Sequence, residues 1–334
     1  MPRKARIDAP GALHHIIIRG IERRKIFFDD FDRDSFVKRL GQILSETGTP
    51  CFAWVLIPNH VHLLLRTGVI PIATVMRRLL TGYAVSFNHR HRRHGQLFQN
   101  RYKSILCQEE LYLLELVRYI HLNPLRARIV KDPEDLDKYP YSGHGVLMNN
   151  VKHDWQEVDY ILKLFGGTCQ EARMRYREFV EKGISEGRRQ DLTGGGLVRS
   201  AGGWAAVKTM RRSENRVKGD ERILGEGNFA ENVLKAAQEN LEQKHKIQAI
   251  GYSFESLVEH VVKLFEISQS DLLAGGKYPK IVKARSLVCF WGSRELGMST
   301  IELAKKLNIS QPTASQSVLR GLKIVEEQGL KISD

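Results

Sequence analysis

The 334-residue sequence predicts an α+β fold in its first part and an all-α region after it. Three observations carry this. Up to residue 143, short β-branched runs alternate with stretches of helical periodicity. Beyond it only helical spacing recurs, broken by clusters of glycine. The final segment shows a capping signal, an apolar stripe, a brief turn and a second apolar stripe.

Leu13–Arg19 (LHHIIIR) is short and β-branched, and reads as a strand. Residues 29–45 carry Phe31, Phe36, Val37, Leu40 and Leu44 near helical spacing behind an acidic start, which predicts a helix. Cys51–Ile57 and His60–Arg66 are apolar strands joined at Pro58-Asn59, a tight-turn pair. Ile72–Arg90 predicts a second helix, residues 97–107 an extended run, and residues 109–123 a third helix stopped at Pro124. Strand, helix, strand, strand, helix, strand, helix is the split β-α-β order of a ferredoxin-like domain with one helix appended. The domain is expected to span residues 1–143. A helical connector over 144–250 contains Gly194-Gly195-Gly196 and Gly202-Gly203, and a terminal all-α domain covers 251–334.

The chain holds 52 Lys and Arg against 38 Asp and Glu, a net charge of +14, of which +9 falls in the first 150 residues. Such an excess points to a polyanionic partner, nucleic acid before a membrane surface. No apolar run reaches transmembrane length, and the basic start is not followed by an apolar signal core. Cys51, Cys107, Cys169 and Cys289 lie far apart, without a C-x-x-C pair. A cytoplasmic protein without a disulfide framework, structural zinc site or membrane partner is expected.

His60 and His62 alternate with Val61, so on a strand both imidazoles project from one face, as a divalent cation site requires. An isolated H-x-H recurs by chance. In the third helix Tyr119 and Asn123 are four apart and share a face beside the apolar stripe of Leu113, Leu116, Val117 and Ile120. A tyrosine hydroxyl is a weak nucleophile alone and needs a polarised electrophile. An amide oxygen from Asn123 beside two imidazoles suits Mg²⁺ or Mn²⁺, on ligand softness Mn²⁺ the better, with zinc not excluded. His121 lies about 200° around the helix from Tyr119 and reads as structural or solvent-facing.

WVLIPNHVHLL at 54–64, QNRYKS at 99–104 and YIHLNP at 119–124 occur in order. Together they resemble the single-tyrosine HUH transposases, most closely the REP-associated tyrosine transposases, from residue 13 to residue 130. The resemblance implies an HUH nuclease domain that cleaves single-stranded, hairpin-associated DNA. His60, His62 and Asn123 would hold the metal, and Tyr119 would attack the phosphodiester, giving a 5′-phosphotyrosine and a free 3′-OH. The family includes dimers that share active sites, so a homodimer is among the partners it implies.

Two basic clusters flank these motifs: Arg19, Arg23, Arg24 and Lys25 after the first strand, then Arg90, Arg92, Arg93, Arg101 and Lys103. Interleaved with Phe87 and Phe98, they are expected to contact the DNA backbone while aromatics stack on unpaired bases. At the far end, Ser299-Thr300-Ile301-Glu302 is a capping box. Gln311 starts a second helix with Ala314, Val318, Leu322 and Val325 inward. In a helix-turn-helix, Gln311, Thr313, Ser315 and Gln316 would face bases of duplex DNA, with Arg320 and Lys323 near phosphate. Residues 254–325 resemble the DNA-binding domain of the replication initiator DnaA. Gln311-Pro312-Thr313-Ala314 stands where that family has Asp-His-Thr-Thr, so its box specificity does not transfer. The sequence thus predicts a metal-dependent tyrosine transposase with a duplex-binding module. Its rivals are a catalytically silent DNA-binding regulator on the same fold and an RNA-binding ferredoxin-like protein.

Overall fold

A computed structural model describes residues 7–9, 11–187, 189, 192, 220, 222–226, 228–236, 253–274, 276, 278–296, 298–330 and 332. The chain divides into two units, residues 1–234 and 235–334.

The first unit is built on β1 (Leu13–Arg19), α1 (Asp30–Thr47), β2 (Cys51–Ile57), β3 (His60–Arg66), α2 (Ile72–Arg90), β4 (Lys103–Cys107) and α3 (Glu109–His121). The strands lie in the order β2-β3-β1-β4, antiparallel throughout, which is the ferredoxin-like arrangement the sequence predicts. A fifth strand, β5 (Ile223–Leu224), pairs parallel with β4 and was not expected. Two residues leave too little periodicity to read, yet they cover part of an otherwise open edge.

α1 starts where the Asp29 carboxylate accepts the backbone N–H of Asp32, and ends at Gly48 in the left-handed region. Its residues Phe36, Leu40 and Leu44 are buried, as are Val75, Met76, Leu79 and Tyr83 of α2, against which it packs. One sheet face carries Ile16, Ile18, Val61, Leu63 and Leu65, all buried. On the other face Leu13, Ile17, Val55, Leu64 and Ile105 form one core with Leu113, Leu116, Val117 and Ile120 of α3.

The extended run expected over 97–107 is a strand only from Lys103. Phe98 bridges Gly20, and Asn100 turns the chain at a φ of 56°. The third helix ends two residues early, at His121. Asn123–Arg126 then form a separate turn, α4, where Pro124 is tolerated because its missing N–H falls in a first turn.

The chain does not leave this domain at residue 143. α5 (Pro133–Lys138), α6 (Gly143–Leu147), α7 (Val158–Leu162) and α8 (Cys169–Lys182) place Leu136, Leu147, Ile161, Ala172, Tyr176 and Val180 in the α3 core. Ala172, Tyr176 and Val180 recur every fourth residue, and this apolar stripe closes over the sheet. The glycine clusters at 194–196 and 202–203 lie outside the described residues.

Buried polar bonds tie α3 to this added layer. The Asp137 carboxylate accepts from His144 Nε2 at 2.8 Å, so His144 Nδ1 accepts the Tyr176 hydroxyl at 2.8 Å. The Tyr176 oxygen in turn accepts from His121 Nδ1 at 2.8 Å. His121 is therefore structural and fully buried, and burial holds it neutral. The turn of α3 that carries Tyr119 is anchored from behind.

The second unit contains α9 (Phe254–Leu264), α10 (Gln269–Leu273), α11 (Pro279–Arg294), α12 (Thr300–Lys306) and α13 (Gln311–Gln328). The expected capping box forms, Ser299 Oγ accepting from Glu302 N at 3.2 Å and Glu302 Oε2 from Ser299 N at 2.8 Å. Leu257, Leu287, Val288, Trp291, Leu303, Ala314 and Val318 are buried. α13 crosses α11 so closely that a Cβ on Gly321 would lie 2.2 Å from the Ser286 carbonyl oxygen. No helix among the described residues is long and apolar enough to cross a membrane.

Candidate active site on the sheet face

Strand register assembles the site. His60 lies opposite Ile57 on β2 and Arg19 on β1. His62 lies opposite Val55 and Ile17, and Ile17 pairs onward with Lys103 of β4. Directly opposed residues share a face, so His60, His62, Arg19 and Lys103 emerge together among apolar neighbours. This is also the face covered by α3. His15, one row further along, points the same way.

The imidazoles are neutral at ordinary pH. Burial pulls His60 down to about 4, with the nearby Arg19 charge adding to the effect. Burial pushes His62 well below its usual range, helped by His15, His60 and Arg19. Neutral imidazole is the form that binds a cation. The two rings are 5.1 Å apart, centroid to centroid. Each engages Nδ1: His60 with Asn59 Oδ1 at 2.7 Å, His62 with His15 Nε2 at 2.8 Å. Neither Nε2 makes a hydrogen bond among the described residues. A divalent cation fits this donor set.

Tyr119 reaches the pair from α3. Its ring stands edge-on to His62 at 5.8 Å and to His15 at 6.0 Å, half-buried at the rim of the core. The Arg126 guanidinium lies over the same ring, 5.3 Å from its centroid. Asn123 has a capping role besides the ligand role expected of its amide oxygen. Its amide nitrogen donates to the carbonyls of Tyr119 at 2.8 Å and Ile120 at 3.2 Å, which caps the end of α3. Those bonds leave Oδ1 as the atom able to serve a cation. No group of three or more His, Cys, Asp and Glu suited to a metal occurs among the described residues.

Sequence reasoning missed His15, Asn59 and Arg126. Arg126 lies beyond Pro124, where the sequence predicts the helix to stop, so no periodic signal places it beside Tyr119. His15 was hidden inside a β-branched run, and only the register shows that it faces His62.

The basic residues separate into groups. Arg19, Arg23, Arg24, Arg92, Arg101 and Lys103 are exposed. Arg24 pairs with Glu22 at 2.8 Å, and Arg93 lies over the Phe87 ring at 5.7 Å. Arg90 is held by Asp29 at 2.6 Å and by the buried Asp32, with Phe31 beneath it. Its charge is neutralised within the fold, at the start of α1. On α13, Gln311, Thr313, Gln316 and Arg320 keep solvent access. Ser315 does not: it is 9% exposed and flanks the inward stripe of Ala314 and Val318, which corrects its expected base contact.

A ferredoxin-like sheet with a paired-histidine face and a helical tyrosine defines the class of the first domain. Residues 10–123 match the family model described as "Transposase IS200 like". Among solved structures, a REP-associated tyrosine transposase bound to a REP hairpin is 17% identical, covering 47% of this chain and 93% of its own, at a TM-score of 0.37. A candidate transposase from Deinococcus radiodurans R1 is 21% identical, covering 36% of this chain and 95% of its own, at a TM-score of 0.26. No curated protein matches the chain.

Proposed function

We propose that the first unit is a single-strand DNA endonuclease and strand transferase that works through Tyr119. The observation that carries this is the meeting of Tyr119 with His62, 5.8 Å between ring centroids, beside a second neutral imidazole on the same strand. His60 and His62 would hold a divalent cation, with Asn123 Oδ1 as the third donor. When bound, such an ion supplies Lewis-acid polarisation of the scissile phosphate. Mn²⁺ suits two imidazoles better than Mg²⁺ does.

Tyr119 Oη attacks the phosphorus as its proton passes to solvent, and the bond from phosphorus to the 3′-oxygen breaks. The new O–P bond is a 5′-phosphotyrosine, and the departing 3′-oxygen takes up a proton to become a free hydroxyl. Arg126, over the ring, favours the negative charge that develops on the tyrosine oxygen. Arg19 on β1 and Lys103 on β4 line the same sheet face, both on one side of the histidines, and bind the strand's phosphates there. Single-stranded DNA beside a hairpin is the substrate class.

The second unit binds duplex DNA through α12 and α13. Gln311, Thr313 and Gln316 at the start of α13 read base edges, and Arg320 and Lys323 contact phosphate.

The direct test is incubation with hairpin-bearing oligonucleotides and Mn²⁺, followed by denaturing electrophoresis. A covalent protein–DNA adduct is expected, lost with chelator and in Tyr119→Phe, with DNA affinity within a few-fold of the parent. An adduct that persists in Tyr119→Phe would defeat the assignment.

A further inference from the structure

The two candidate ligands hold their rings by different kinds of bond. His60 Nδ1 meets Asn59 Oδ1, an atom that only accepts. The Asn59 amide nitrogen is placed by its own bond to the Arg23 carbonyl at 3.1 Å. The proton of neutral His60 therefore sits on Nδ1, and its Nε2 lone pair is bare. His62 Nδ1 instead meets Nε2 of another histidine, His15, which is able either to donate or to accept. Two tautomers of His62 are thus open, and only one leaves Nε2 with a lone pair. A donating His15 would move the His62 hydrogen to Nε2 and close that atom to a cation.

We propose that His15 is the positioning residue of this site: it accepts the Nδ1–H of His62 and so selects the tautomer whose Nε2 binds a cation. The inference rests on reading His60 and His62 as cation ligands. His15 is fully buried and occupies a row whose neighbours across the strands are Ile105 and Leu64. An aliphatic side chain would suit that row, because a buried imidazole loses its hydration and needs a partner to offset it. His62 is such a partner, stacked against it at 5.1 Å between centroids with 26° between planes. The outer edge of the same ring meets Tyr119. One side chain thereby sets both the tautomer and the tilt of a ligand and walls the nucleophile. Groups that orient ligating histidines are commonly worth about 10–100-fold in metal affinity.

The test uses the full chain with ¹⁵N-labelled histidine, together with His15→Leu and His15→Gln. Leucine fills the volume without a hydrogen-bonding atom, whereas glutamine keeps an acceptor oxygen. In the metal-free parent, nitrogen shifts should place the hydrogen of both His60 and His62 on Nδ1. His15→Leu should lose that single tautomer at His62, and calorimetric Mn²⁺ affinity should fall about 10–100-fold. His15→Gln should bind within about threefold of the parent. A parent whose His62 hydrogen sits on Nε2 overturns the proposal, as does His15→Leu with parental tautomer and affinity. If His15→Leu fails to fold, the parent's tautomer and the glutamine variant still decide. A parent with the expected tautomer but no Mn²⁺ binding sinks the cation reading instead, and leaves the hydrogen-bond assignment of His15 standing.

Discussion

At the residue scale, the proposed chemistry rests on imidazoles kept neutral by burial and a tyrosine ring brought against them. His60→Ala and His62→Ala should each abolish Mn²⁺-dependent adduct formation with little loss of fold. Both lie at one end of a sheet whose core is aliphatic, and losing one of few ligands weakens cation binding directly. Either variant with parental activity at limiting Mn²⁺ would remove the strand-face site. Arg126→Met keeps most of the side-chain volume and deletes the cation 5.3 Å from the Tyr119 ring centre. Single-turnover adduct formation should slow by about tenfold, equivalent to about 1.4 kcal/mol of transition-state stabilisation. An unchanged rate would leave Arg126 with only its packing role. The histidine pair and Tyr119 were legible in the sequence because period two and period 3.6 each fix a face. His15 and Asn59 were not, since pairing across strands and a turn's side-chain bond carry no periodic signal.

At the element scale, the hairpin of β2 and β3 and the helix α2 fall where the sequence predicts them, residue for residue. Their boundaries are set by local chemistry: Pro58-Asn59 turns the hairpin, and Pro71 precedes α2. Elements that depend on distant partners were harder to read. The layer α5–α8 exists because its apolar residues close over α3, and three of its four helices, at five or six residues, give little pattern on their own. Tyr176→Phe tests the bond between the two. It would leave Nδ1 of His121 and Nδ1 of His144 without their shared partner, at about 1–3 kcal/mol per group, while His144 keeps its bond to Asp137. Melting of the first unit should fall by about 2–4 °C per kcal/mol lost. Unchanged melting would show that the contact is incidental. In the second unit, Gly321→Ala should be harmful although alanine is the better helix former. Its Cβ has no room beside the Ser286 carbonyl, and forcing it in costs about 1–3 kcal/mol. A stabilised variant would mean that α11 and α13 separate easily.

At the scale of the whole molecule, the chain joins two units with different expected tasks, and each carries its own buried core. A chain ending at residue 250 should cleave short single-stranded substrates at saturating concentration, yet bind duplex-flanked sites more weakly. The full chain should show the steeper salt dependence, because it neutralises more phosphates. Equal duplex affinity and equal slopes would deny the second unit a DNA-binding role. The helical end segment was legible from its capped helix pair. The extent of the first unit was not, because its last helices are recruited by tertiary packing. The central claim, that Tyr119 becomes covalently joined to DNA, is tested most directly by mass spectrometry. Full-length protein is incubated with a hairpin-bearing strand and Mn²⁺, then digested with nuclease and protease. The account expects a nucleotide 5′-phosphate on the peptide containing Tyr119. The same modification on Tyr102 or Tyr112, with Tyr119 unmodified, would contradict it.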